Sequence, residues 1–114
     1  LLKERQECLE IAGFHCQQAV EKGLKAYIIH ASGQLVDGHN VTWLCRQAVR
    51  YNSDFGDWME DCAKMNRLYI ETRYPSDEDL HLSGETVERY HAAAQSLYDF
   101  ICELVYENGD IEDD

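Results

Sequence analysis

A polar strip on the first predicted helix carries the side chains best suited to bind or transform a ligand. Gln18, Glu21, Lys22 and Lys25 are spaced by three and four residues, which places them on one side of a helix. Glu21 precedes Lys25 by four residues, the favourable order for an ion pair, and Gln18 can reach Lys22 in the same way. Two interpretations stay open: a solvated or partner-facing stripe, and a polar groove whose lysines bind a phosphate.

A second candidate site lies in residues 69–75 and the acidic residue Asp77 that follows them. Arg73 and Tyr74 could offer a guanidinium to a phosphate and an aromatic face to a base. From the residues alone a structural role is favoured. Arg73 would offset the negative end of a helix macrodipole, and Pro75 would stop the helix.

Four segments with a helical spacing of apolar residues position these side chains. They span approximately residues 8–31, 41–51, 55–72 and 84–107. Ser32 and Gly33 are predicted to end the first helix, while Asn40 and Ser83 are predicted to cap the second and the fourth. No stretch alternates with a period of two over a length that predicts a sheet. The predicted fold class is therefore all-α, an up-and-down antiparallel helical bundle.

The two ends of the sequence give separate expectations. Leu1 and Leu2, followed by a polar run, are interpreted as the last turn of an earlier helix that leads into a link. Most of an additional N-terminal helix is then expected to be missing, and the bundle would expose an apolar stripe unless a partner covers it. Residues 1–109 are expected to form the bundle, and residues 110–114 a frayed acidic tail.

Size and charge limit the possible functions. The 114 residues suffice for one domain, and their net charge of −12 repels the phosphate backbones of nucleic acids. Extended contact with DNA or RNA is therefore disfavoured, whereas one small anion held by a local basic cluster is not. The longest apolar run, residues 26–29, is far shorter than the roughly 20 residues that cross a membrane. No membrane contact and a cytoplasmic location are expected.

Cysteines and histidines do not form a pattern typical of a metal or a cofactor site. The five cysteines are widely spread without a Cys-x-x-Cys motif, and we interpret them as reduced thiols that pack on helices. His15 and its neighbour Cys16 point to different helix faces, so they cannot chelate a metal together. We therefore predict no metal and no cofactor. With neither a glycine-rich phosphate loop nor a nucleophile elbow, no catalytic residue is assigned.

Three motifs of the sequence together resemble a known family. They are residues 17–26, beginning Gln-Gln-Ala-Val-Glu-Lys, then Gly-His-Asn-Val at 38–41 with Leu44, and Tyr-Ile with Arg-Tyr-Pro at 69–75. Their order and spacing are similar to those of the HEPN family, the higher eukaryote and prokaryote nucleotide-binding domain. The resemblance covers residues 8–105 and implies four long helices plus a short one, with the first of them missing here. The family often has Asp where this chain has Asn40.

The resemblance also divides the possible activities. Many HEPN proteins resemble metal-independent ribonucleases in which an arginine is followed, after four to six residues, by a histidine. Here seven residues separate Arg73 from His81 and one separates Arg89 from His91. This chain therefore resembles the non-nuclease branch, and we favour the interpretation that it is not an enzyme. That branch implies a homodimer that binds a nucleotide or phosphorylated substrate and partners a minimal nucleotidyltransferase.

Two alternative functions stay open beside nucleotide binding with a nucleotidyltransferase partner. The candidate residues are those that the preferred function predicts. One alternative is a divergent ribonuclease toxin that uses Arg73 and His81; the other is a purely structural dimerisation module. The predicted nucleotide-binding residues are Gln18, Lys22, Lys25, Arg73 and Tyr74. The residues predicted to face a partner or line the groove are Glu21, His39 and Asp77.

Overall fold

The computed structural model describes the backbone of residues 2–73 and 83–107 and the side chains of residues 4–67 and 83–106. Along the chain it contains helix α1 (Leu2–Ser32), helix α2 (Val41–Val49), a 3₁₀ helix (Ser53–Trp58), helix α3 (Met59–Arg73) and helix α4 (Gly84–Glu107). The described part of the chain has no strand. The predicted all-α class is confirmed.

The predicted helix caps are present. Gly33 ends α1 with a φ of 75°, in the left-handed region that favours glycine. The side chain of Asn40 accepts a hydrogen bond of 3.0 Å from the backbone N–H of Trp43 at the start of α2. Ser83 accepts in the same way from the N–H of Thr86, also at 3.0 Å. Local rules of helix termination therefore fix three of the helix ends.

Two predicted helix beginnings are wrong. α1 begins at Leu2, so the residues expected to form a link are its first turns. Neither glycine nor proline occurs in residues 2–12, and nothing interrupts the helix there. The third predicted helix does not begin as α-helix at Phe55, because Asn52 accepts from the N–H of Asp54 at 2.9 Å and starts the tighter 3₁₀ turn.

The long helices alternate in direction along the chain. Gly23 of α1 lies against Ile101 of α4, and near the other end of α1 Leu9 packs with Val87. α1 and α4 are therefore parallel. α3 runs opposite to both, because Trp58, the residue just before α3, stacks on Phe100 near the end of α4, at a ring distance of 4.9 Å. The short α2 packs against α1 and α3.

The core gathers at one end of the bundle. Four rings form what we call the aromatic cluster: Tyr27, Phe55, Trp58 and Phe100. Phe55 is fully buried, and its ring centroid lies 4.5 Å from that of Tyr27 and 5.0 Å from that of Phe100. The cluster thus joins α1, the 3₁₀ helix and α4 through one side chain.

The other end of the bundle is more open. Leu24 and Ile28 of α1 are buried, but Ile11, at 57 % exposure, and Phe14 lie at the surface. A groove of about 620 Å³ runs there between Ala12 and Ala19 of α1 and the facing side of α4. Within the described residues no helix is long and apolar enough to cross a membrane.

The cysteines fulfil the expected packing role only in part. All five thiols are free; Cys16, Cys45 and Cys62 are buried, and Cys102 is half-buried. Burial raises the pKa of the Cys16 thiol. Cys8 is exposed, so the packing interpretation is wrong for that residue, which lies on an outer face of the first turns of α1.

Candidate ligand-binding site on the first helix

A buried carboxylate is the centre of the polar strip on α1. The Glu21 side chain is only 6 % exposed, and its Oε2 atom lies 2.7 Å from His39 Nδ1 and 3.1 Å from Lys25 Nζ. The predicted ion pair between Glu21 and Lys25 is therefore confirmed. We call these three residues, together with the amides of Gln17 and Gln18, the Glu21 network.

The backbone before α2 brings His39 to this carboxylate. Gly38 has a φ of 129°, a conformation that residues with a side chain rarely adopt, and it immediately precedes His39. Gln17, itself buried in α1, donates from Nε2 to the carbonyl oxygen of His39 at 3.3 Å. Asn40, the next residue, caps α2. The backbone at His39 is thus attached to α1 by Gln17 and leads directly into α2 through Asn40.

The two glutamine amides complete the network. Gln18 Nε2 donates to Gln17 Oε1 at 2.8 Å, and both amides lie 3.5 Å from Glu21 Oε1. The contact predicted between Gln18 and Lys22 is not formed, because the Gln18 amide bonds to Gln17 and Glu21 instead. Gln18 therefore belongs to the internal side of the strip.

Opposing effects set the charge of Glu21. Burial raises the pKa of its carboxyl, whereas the hydrogen bonds and charges of His39 and Lys25 lower it, and the balance lies below the ordinary value. Glu21 is therefore ionised at neutral pH. Because a carboxylate can only accept hydrogen bonds, His39 Nδ1 carries the proton, which fixes the tautomer of a neutral ring.

Lys22 carries a positive charge of the strip that is not paired with a described acidic group. It is exposed and makes no ion pair or hydrogen bond with the described part of the chain. Lys22 and Lys25 together outweigh Glu21 by one positive charge, and protonation of His39 adds a second. A protein with a net charge of −12 thus has a local positive excess on this side of α1.

The other predicted site residues are not tested by these contacts. Arg73 is the last residue of α3, and its side chain lies outside the described residues. Tyr74, Asp77 and His81 also lie outside them. The convergence of Arg73 with Lys22 and Lys25 stays a prediction. Among the described side chains, no three His, Cys, Asp or Glu residues are placed to hold a metal ion.

Spacing along the sequence does not predict the contact between Glu21 and His39. These residues are 18 positions apart and belong to two different motifs of the sequence. Gln17 belongs to the first family motif, and the sequence alone does not indicate that it is almost completely buried. A run of polar residues among apolar ones is the signal that points to such a contact, since a buried polar group requires a hydrogen-bond partner.

Comparison with known proteins agrees with the resemblance found in the sequence. A family model described as the HEPN domain matches residues 2–105, which is nearly the whole chain. No curated protein and no solved structure gives a significant match.

Proposed function

The chain belongs to the HEPN domain family, and we propose that it binds a nucleotide or another phosphorylated ligand beside the Glu21 network. The observation that carries the proposal is the exposed Lys22, which has no acidic partner in the described part of a strongly acidic protein. Membership of the family supports a module related to nucleotides or RNA. The positive excess of the strip formed by Glu21, Lys22 and Lys25 favours a compact anion over an extended strand.

Each residue of the strip has a proposed role in binding. Lys22 contributes an uncommitted ammonium to the phosphate. Lys25 is 21 % exposed and shares its charge with Glu21, so it contributes mainly through its field. Arg73 and Tyr74 are proposed to complete the site with a guanidinium and an aromatic face for a base.

A protein partner is the second part of the proposal. Members of the non-nuclease branch are often encoded beside a minimal nucleotidyltransferase, and we propose such an enzyme as the partner of a homodimer of this chain. Light scattering of the chain alone and of a mixture with a minimal nucleotidyltransferase tests this part. A dimer mass that rises on mixing supports it, and a monomer that does not associate contradicts it.

A purely structural role for the strip is the second candidate function. It is favoured by the contacts within the chain, since Gln17 and Glu21 attach the segment before α2 to α1. This explains the buried members of the strip. It gives no role to the exposed Lys22, which is why ligand binding is the preferred function.

Calorimetric titration with ATP and GTP tests the binding proposal. We compare the wild type with Lys22→Gln and Arg73→Ala, and use Lys64→Gln as a matched control because Lys64 is paired with Glu60 on α3. Loss of a charge-assisted hydrogen bond predicts about tenfold weaker binding for Lys22→Gln and none of that loss for the control. If neither nucleotide gives heat with the wild type, the binding proposal is wrong.

The ribonuclease alternative has its own test. Total RNA is incubated with the wild type and with His81→Ala. Cleavage by the wild type that is lost in the variant would replace nucleotide binding as the preferred function.

A further inference from the structure

His39 presents one uncommitted ring nitrogen at the edge of the Glu21 network. Its Nδ1 atom is 2.7 Å from the buried carboxylate of Glu21, yet its side chain is 73 % exposed. Within the described residues, Nε2 has no hydrogen-bond partner. The ring is therefore oriented by a fixed anion on one side and open to a ligand on the other, while Gln17 holds its backbone.

We propose that His39 binds the phosphate of the ligand through Nε2, and that this binding takes up one proton from solvent onto the ring. The inference rests on the proposed function and assigns a pH-dependent contact to the same site.

The proton is required by the hydrogen-bonding capacity of the groups. In the neutral ring with its proton on Nδ1, Nε2 can only accept a hydrogen bond, and so can an ionised phosphate oxygen. The doubly protonated ring donates from Nδ1 to Glu21 and from Nε2 to the phosphate. The arrangement resembles the carboxylate–histidine pairs in which a fixed carboxylate orients a ring toward a ligand.

The charged groups near His39 come from α1 and from the segment before α2. From α1, the carboxylate of Glu21 lies against Nδ1, and Lys25 binds the same oxygen atom of Glu21. The segment before α2 adds Asp37, which is exposed and forms no ion pair or hydrogen bond with the ring. Among the described side chains, Glu21 is the charged group that is paired with the ring. A bound phosphate supplies the negative charge that balances Lys25, Lys22 and a protonated His39 together.

Ring-nitrogen NMR during a titration with GTP tests the proposal. Spectra at pH 7.5 report the protonation of each histidine ring, and calorimetry at pH 6.0 and 7.5 gives the affinities. His39→Asn keeps an amide donor near the position of Nδ1 and removes Nε2. His91→Asn is the matched control, because His91 is exposed on α4 and outside the network. Circular dichroism verifies that both variants fold.

The expected result has two parts. GTP converts His39 to the doubly protonated form. In the wild type and in His91→Asn, raising the pH from 6.0 to 7.5 weakens the binding of GTP. This weakening is about tenfold larger than in His39→Asn, in which GTP still titrates but position 39 has no ring to protonate.

The other outcomes separate the two proposals. Binding of GTP without protonation of His39, or with an equal pH dependence in His39→Asn, overturns this inference and leaves the proposed function standing. Absence of any binding of GTP and ATP by the folded wild type overturns both.

Discussion

The aromatic cluster and the Glu21 network are both built against α1, but different forces hold them. Phe55 is surrounded by rings from α1, the 3₁₀ helix and α4, and burial of apolar surface stabilises it without any charge. Glu21 is buried among hydrogen-bond donors. The stabilisation that these contacts provide depends on the protonation states of the groups involved. The first region fixes the helices, whereas the second leaves His39 exposed beside a fixed anion.

Removal of the central ring has the largest expected effect. Phe55→Ala leaves a cavity between three elements and is expected to lower the free energy of unfolding by about 3–5 kcal/mol in urea titrations. Leu35→Ala is the control, since Leu35 is 75 % exposed, and it is expected to change stability by less than about 0.5 kcal/mol. Similar losses in the two variants would show that the cluster is not the main source of stability.

Removal of the buried carboxylate is expected to have a smaller effect. Glu21→Ala deprives Lys25 and His39 of their acceptor and lowers the free energy of unfolding by about 1–3 kcal/mol. Glu21→Gln retains an acceptor of nearly the same shape and is expected to lose less. Chemical denaturation at pH 7 measures both, and a Glu21→Ala variant as stable as the wild type would contradict the role given to the network.

The cap of α2 contributes less again. Asn40→Ala removes the acceptor for the N–H of Trp43 and is expected to lower the free energy of unfolding by about 1 kcal/mol. Asn40→Asp restores an acceptor and is the matched control. A loss shared equally by both variants would mean that the cap is not the cause.

The smallest expected effect is a difference in the pH dependence of stability between the Glu21 network and the aromatic cluster. The pKa of Glu21 lies below its ordinary value in the folded protein. The carboxylate therefore contributes its full share to the free energy of unfolding above the unfolded pKa of about 4.3. That contribution is lost as the pH falls through the folded pKa. The stability difference between wild type and Glu21→Gln is therefore expected to shrink as the pH is lowered from 5. The difference between wild type and Phe55→Ala is expected to stay constant, and a parallel shrinkage would contradict this assignment.

Features set by neighbouring residues could be predicted from the sequence. The caps at Asn40 and Ser83, the end of α1 at Gly33 and the ion pair between Glu21 and Lys25 all follow from residues at most four positions apart. The error at Leu2 has a physical reason: a polar run is compatible with a link, but it is equally compatible with the exposed first turns of a long helix.

Features that depend on tertiary contacts could not be predicted in this way. Periodicity gives Ile11 and Phe14 the same apolar character as Leu24, but only the packing of α4 and α2 determines which of them is buried. His39 reaches Glu21 because the chain returns along α1 after Gly33. Spacing along one helix contains no information on that return.

The most direct test of the central claim is to map the GTP site by amide NMR. Titration of GTP into the labelled wild type is expected to shift the backbone amides of residues 17–25 and 38–41, and to leave those of the aromatic cluster unchanged. Shifts confined to the groove beside Ala12 and Ala19, or a spectrum that does not change at saturating GTP, would contradict a phosphate site beside Glu21 and His39.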